Sequence, residues 1–156
     1  MPDLVTHALF VYPAKKWFPK NTIFILIGAL LPDLLGRSLG VFNFNLSLIY
    51  WYQLAIHTPF CLILFTYSLS FFFREKERKI VFLFILIGAF SHFLLDFFQK
   101  TIIIGNLWFF PFSFVSPQLQ LFWPDDSIYL IPVLIISNLI FAVISSNFKT
   151  RIKNPQ

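Results

Sequence analysis

At 156 residues the chain is long enough for a single domain, residues 1–156, or one compact membrane bundle. Hydrophobic side chains make up 58% and charged ones 12%, with 23 Phe, which argues against a soluble globular domain and for a membrane protein. The net charge of +5 is gathered in short runs between apolar stretches rather than on a basic face, which argues against nucleic acid as a partner.

In chain order, the first apolar stretch, 4–14, follows Asp3, carries His7 and ends at Pro13 and the pair Lys15/Lys16. A second, 22–35, is short and is interrupted by Pro32-Asp33, where its helix is expected to close. The two form a predicted helical hairpin with its turn over 15–21. Lys15, Lys16 and Lys20 before 23–31 have the outline of a signal peptide. The apolar segment before the lysines and the Pro-Asp after the run argue against cleavage. Stretches 54–73, 80–98 and 128–144 are long enough, or nearly so, to span, since a spanning helix takes about 17–25 residues. The fold class expected is all-α, a multi-pass transmembrane bundle of four to five helices with a short N-terminal pair. No internal repeat is evident. Cys61 is the single cysteine, inside an apolar run, so an intrachain disulfide is ruled out.

The basic runs Lys15/Lys16/Lys20, Arg74/Lys76/Arg78/Lys79 and Lys149/Arg151/Lys153 all fall on one side of this bundle, the cytoplasmic side by the positive-inside rule. Segments 36–50 and 99–127 then lie outside, where Arg37 and Lys100 are the only basic residues. Trp51, Trp108 and Trp123, with Tyr50, Tyr52 and Tyr129, sit near the outer ends as an interfacial belt would. A multi-pass membrane location follows, with the terminal regions leaning toward the cytoplasm.

All three histidines and several aspartates lie in or beside these apolar stretches: His7, Asp33, His57, His92 and Asp96. Ionisable groups in hydrocarbon are costly and tend to be paired, metal-bound or functional. Imidazole with carboxylate is also the ligand set that zinc takes. His92 and Asp96, four apart, share a helix face, as metal ligands or as a structural pair. At about 1.5 Å per residue, His57 stands roughly 24 Å from Phe73, Asp96 roughly 24 Å from Ile80, and Asp33 roughly 20 Å from Lys20. These heights agree, toward the outer leaflet. His7 stands only about 12 Å above Lys15 and joins them if the lysines snorkel. A carboxylate closing a helix needs a positive partner, so Asp33 has two candidates, a metal ion and Arg37. Asp125 and Asp126 are expected to cap the last helix, and Glu75 and Glu77 to belong to a solvated charge run. Thr6, Thr58 and Ser91 each neighbour a histidine, though adjacent helical residues diverge, which disfavours a Ser91-His92-Asp96 triad.

Thr6-His7-Ala8, Gly28-Ala29-Leu30-Leu31-Pro32-Asp33, His57-Thr58 and Gly88-Ala89-Phe90-Ser91-His92-Phe93-Leu94-Leu95-Asp96 occur in the order seen in a known family. The chain resembles the bacterial and archaeal inner-membrane metal-dependent hydrolases, distantly similar to zinc-dependent phospholipase C. The later Gly105-Asn106-Leu107-Trp108-Phe109-Phe110-Pro111-Phe112 is similar to that family's glycine-to-proline stretch, so the likeness covers about 4–115. The resemblance implies His7, Asp33, His57, His92 and Asp96 as metal ligands. The family's Pro-Asp-x-Asp and His-Arg-x-x-Thr-His patterns are incomplete here, with Leu35 and Tyr52 in place of an Asp and a His. Enough ligands remain for one metal.

Three readings follow. The first is a membrane-embedded hydrolase in which a divalent metal, zinc by ligand type, activates water against a lipid or lipid-linked ester or phosphoester, with Asp33 or Asp96 as general base. The second is a catalytically degenerate structural or partner-binding protein that keeps the polar cluster for packing. The third is an ion or proton relay, for which the bundle is small.

Overall fold

A computed structural model describes the backbone of residues 3–38, 46–101 and 106–153, and the side chains of 3–36, 51–101 and 106–146. Helices dominate: α1 (Leu4–Val11), α2 (Thr22–Ser38), α3 (Leu46–Ile56), α4 (Pro59–Ser70), α5 (Glu75–Phe98) and α6 (Ser127–Lys153). A 3₁₀ turn, Tyr12–Lys16, leads out of α1 toward α2, as the predicted hairpin requires.

Two segments among the described residues, rather than four to five, are long and apolar enough to cross a membrane: Glu75–Phe98 and Pro124–Ser146. The shortfall has local causes. Stretch 54–73 is not one helix, because Thr58 caps a new one: its hydroxyl accepts from the Cys61 amide at 3.2 Å. Pro59 takes the first helical position, where its missing N–H costs nothing. The resulting α4 has 12 residues, about 18 Å, against a hydrocarbon core of about 30 Å. The other correction runs the opposite way. Pro32 does not end its helix; α2 continues through it to Ser38. Proline in a helix interior costs the bond to the carbonyl four residues back, here Gly28, and a neighbouring helix makes that tolerable.

That neighbour is α5, and α2 on α5 is the most extensive packing in the fold. Ile-Leu-Ile-Gly-Ala occurs twice, at 25–29 in α2 and at 85–89 in α5, an internal repeat that the expectation above lacks. The copies cross at their glycines. A Cβ on Gly28 would fall on the Ile85 carbonyl oxygen, and one on Gly88 on the Ile25 carbonyl oxygen. Only glycine lets two backbones approach so closely, the device by which helices associate in lipid without a hydrophobic driving force. Buried apolar groups flank the crossing: Val11, Ile25, Ala29 and Phe84 on one side, and Leu62, Ala89 and Phe93 on the other.

The long segment after α5 is irregular but its backbone is paired. Leu119 and Leu121 amides donate to the Phe97 and Phe98 carbonyls, both at 2.8 Å, satisfying groups the helix end leaves open. Trp108 packs on Phe93 and Phe97, with ring centroids 5.5 and 5.6 Å away. α6 packs chiefly against α1 and exposes Val133, Ile136, Leu139, Ile140 and Val143. Polar groups tie it down: Asn138 Nδ2 donates to the Leu9 carbonyl at 3.1 Å and Ser127 Oγ to Asp3 Oδ2 at 3.0 Å.

Candidate metal centre

The close crossing of α2 and α5 places Asp33 near His92 and Asp96, each about a turn or more beyond its own glycine. α1 adds His7 from one side, and the joint between α3 and α4 adds His57 from the other. All five expected residues are buried, with exposures of 1% for His7, 0% for Asp33, 2% for His57, 0% for His92 and 5% for Asp96.

The five make a continuous cluster. His92 Nε2 is 3.3 Å from Asp96 Oδ2, His7 Nε2 is 3.9 Å from Asp96 Oδ1, and His57 Nε2 is 3.6 Å from Asp33 Oδ1. The rings of His57 and His92 are 5.7 Å apart between centroids. Two triads, His7–His92–Asp96 and Asp33–His57–His92, each hold three ligand atoms within 4.8 Å of one another, with His92 common to both. Two ligands about 2.1 Å from a tetrahedral cation stand roughly 3.4 Å apart, so these spacings fit a metal of zinc's size and preferences.

Hydrogen bonds fix which nitrogens face the cluster. His92 Nδ1 lies 2.8 Å from the Ala29 carbonyl and His57 Nδ1 lies 2.9 Å from the Gln53 carbonyl. A carbonyl only accepts, so in both rings Nδ1 carries the proton and Nε2 turns inward. The Ala29 carbonyl that orients His92 is adjacent to the carbonyl freed by Pro32. Within the described residues, His7 Nδ1 and Nε2, His57 Nε2, His92 Nε2 and Asp96 Oδ1 are buried with no hydrogen-bond partner. Buried polar atoms left so are rare and call for an ion, a proton or water. With neutral imidazoles the two carboxylates give the cluster a charge of −2, which one divalent cation balances.

Sequence reasoning missed several contributors. Asn106 Nδ2 donates to Asp96 Oδ2 at 2.9 Å and holds that carboxylate from outside the helices. Gly36 admits the His57 ring, since a Cβ there would meet its Cε1 at 2.8 Å. The Ala29 and Gln53 carbonyls carry no side-chain signature at all. Asn106 sits in the glycine-to-proline stretch noted above, and that was its only signal.

Other expectations resolve locally. Thr6 donates to Asp3 Oδ2 at 2.6 Å and Thr58 to the Ala55 carbonyl at 2.8 Å, while Ser91 donates to the Gly88 carbonyl, so none of these hydroxyls bonds a histidine. Asp3 caps α1 through the Thr6 amide. Partial burial works against its charge, but the bonds from Thr6 and Ser127 outweigh that and hold its carboxyl below the ordinary range. Asp125 and Asp126 lie in a short 3₁₀ turn, Pro124–Asp126, ahead of α6, and Asp126 accepts from the Trp123 amide that opens that turn at 3.0 Å rather than from an amide of α6. Glu75 and Glu77 are exposed, as in a solvated charge run, and belong to the first turn of α5, where acids suit the helix dipole. The Arg37 side chain, expected as the alternative partner of Asp33, lies outside the described residues, as do those of Tyr50, Lys149, Arg151 and Lys153.

A family model described as YdjM inner membrane protein matches residues 3–153. No curated protein and no solved structure matches the chain. The match supports the inner-membrane half of the resemblance drawn above; metal dependence and hydrolysis are not part of its description.

Proposed function

The chain belongs to the YdjM inner membrane protein family, and from that premise we propose that it is a membrane-embedded metal-dependent hydrolase. It holds one divalent cation, zinc by ligand type, among His7, Asp33, His57, His92 and Asp96, and acts on an ester or phosphoester of a lipid or lipid-linked substrate. The observation that carries this reading is the inward convergence of His57 Nε2 and His92 Nε2 on two carboxylates, with both Nδ1 atoms already committed to carbonyls. Lone pairs aimed at carboxylates in a buried space repel unless a positive charge lies between them.

A bound divalent cation would supply a Lewis acid and a water acidified toward neutral pH. The protein's own groups do the rest. His57 and His92 are held in one orientation by backbone acceptors, and Asn106 holds Asp96. Asp33 or Asp96 takes the proton released as water attacks, and returns it to the leaving oxygen. His92 and Asp96 lie near the end of α5 opposite its Arg74–Lys79 run, so the positive-inside rule puts the site in the outer leaflet. That depth favours a substrate that reaches it from the bilayer.

The pairing distances of 3.3–3.9 Å also suit imidazolium–carboxylate contacts, which would make the cluster a packing device. Metal content separates the two readings. Detergent-purified protein, reloaded with zinc and dialysed, is expected to retain stoichiometric metal by elemental analysis. His92→Ala is expected to retain only background metal with its helical content intact. Wild-type protein that folds fully and keeps only background metal after reloading would overturn the hydrolase reading and leave the packing one.

A further inference from the structure

Beside the cluster lies a cavity of about 770 Å³, within the range of small-molecule sites. One wall is α3, through Trp51, Leu54 and Ala55; the facing wall is the segment after α5, through Leu107, Phe110 and Phe114. No charged side chain lines it among the described residues, and its polar groups are hydroxyls and amides. Three of these brace one another: Thr101 Oγ1 donates to Gln118 Oε1 at 2.8 Å, and Gln118 Nε2 to Ser116 Oγ at 3.1 Å.

The cavity and the metal-ligand shell meet at two dipeptides. His57 faces the cluster while Thr58 lines the cavity; Asn106 holds Asp96 while Leu107 lines the cavity. The surrounding surface has lipid chemistry. Residues 106–123 contain no charged side chain, and Phe112, Phe114 and Leu121 are 90%, 73% and 66% exposed. Phe114 both lines the cavity and stays largely exposed, so the apolar lining runs out onto this surface. Apolar groups so exposed in a membrane protein face hydrocarbon or the interface, where alkyl chains are the abundant ligand.

We propose that this cavity seats one alkyl chain of a bilayer lipid, bringing the lipid's ester region against the His57–His92 cluster. The inference rests on the hydrolase reading for its chemistry, whereas chain binding rests on the cavity alone. The uncharged lining rejects headgroups and accepts methylenes, and the Thr101–Gln118–Ser116 chain keeps those three wall groups paired, so seating a chain does not strand them.

The probe is phosphatidylglycerol with a diazirine near the end of one acyl chain, in phosphatidylethanolamine nanodiscs holding the full chain, with crosslinked residues mapped by mass spectrometry. Labelling is expected at Trp51, Leu54, Phe110 and Phe114. Ala55→Trp and Ser116→Trp fill the space from opposite walls, and each is expected to cut that labelling at least tenfold. Labels on Leu139 and Val143 of α6, which meet bulk lipid, are expected to stay unchanged and report that each variant is inserted. Labelling confined to α6, or cavity labelling that survives both fillings, would overturn the proposal. Metal retention measured on the same samples keeps the two claims apart: cavity labelling without metal leaves the binding and removes the hydrolase, and metal without cavity labelling does the reverse.

Discussion

The imidazoles of His7 and His92 stack face to face, with centroids 3.9 Å apart and planes within 16°, and both turn Nε2 toward the Asp96 carboxylate. Two positive rings at that separation would repel strongly, so the stack suits neutral rings presenting lone pairs. Such a pair, from two different helices, makes the fold itself the clamp on whatever balances Asp96.

Removing the amide behind that carboxylate tests the clamp. Asn106→Ala deletes the 2.9 Å bond to Asp96 Oδ2 without touching a ligand. Loss of such an outer partner lowers metal affinity about 10–100-fold. Chelator competition is expected to read that drop, with circular dichroism unchanged. Wild-type affinity in the variant would mean that Asp96 does not bind the ion.

The glycine crossing predicts an inverted sign. Alanine for glycine in a helix interior ordinarily stabilises by about 0.5–1 kcal/mol. At Gly28 and Gly88 the added Cβ meets the facing backbone. Each substitution is therefore expected to destabilise, by about 1–3 kcal/mol as overpacking does. Thermal unfolding in detergent checks it, and a stabilised Gly88→Ala would refute the close approach.

Asp3 links acid stability to helix capping. Its carboxyl titrates below the ordinary 3.8 in the folded protein, so its contribution is full above that value. It is lost as pH falls through the lowered one. Asp3→Asn, which can still cap, is expected to flatten the loss of thermal stability on the acid side of the ordinary carboxyl range, whereas Asp3→Ala also costs about 1 kcal/mol at neutral pH. Identical acid limbs for wild type and Asp3→Asn would show that the carboxylate carries no such linkage.

α6 should feel the bilayer directly. Ile136 is 56% exposed in the middle of a segment with mean hydropathy 2.4. An arginine near a helix centre costs about 2.5–3.5 kcal/mol of insertion free energy. Ile136→Arg is expected to shift the protein from the carbonate-resistant membrane fraction toward the extractable one. Unchanged resistance would mean that this face is covered by protein.

The five ligand candidates were legible because polar groups are conspicuous against apolar sequence, and rise per residue set most of them at one height. His7 fits that height poorly by rise per residue, because a lysine can snorkel and so does not mark the depth of its helix. The break at His57-Thr58-Pro59 was written in the sequence as a cap followed by proline, yet hydropathy across 54–73 is continuous and masked it. Pro32 misled for the converse reason: a neighbouring helix overrode a local rule. Ala29 and Gln53 act through carbonyls, which every residue has, so only the assembled helices could reveal them.

The twin Ile-Leu-Ile-Gly-Ala segments make the distance between Asp33 and His92 a matter of main chain against main chain. Lipid-facing positions contribute little to that distance so long as they stay apolar. Two hydrogen-sized side chains, neither of them a ligand, set the spacing that keeps the ligands in register.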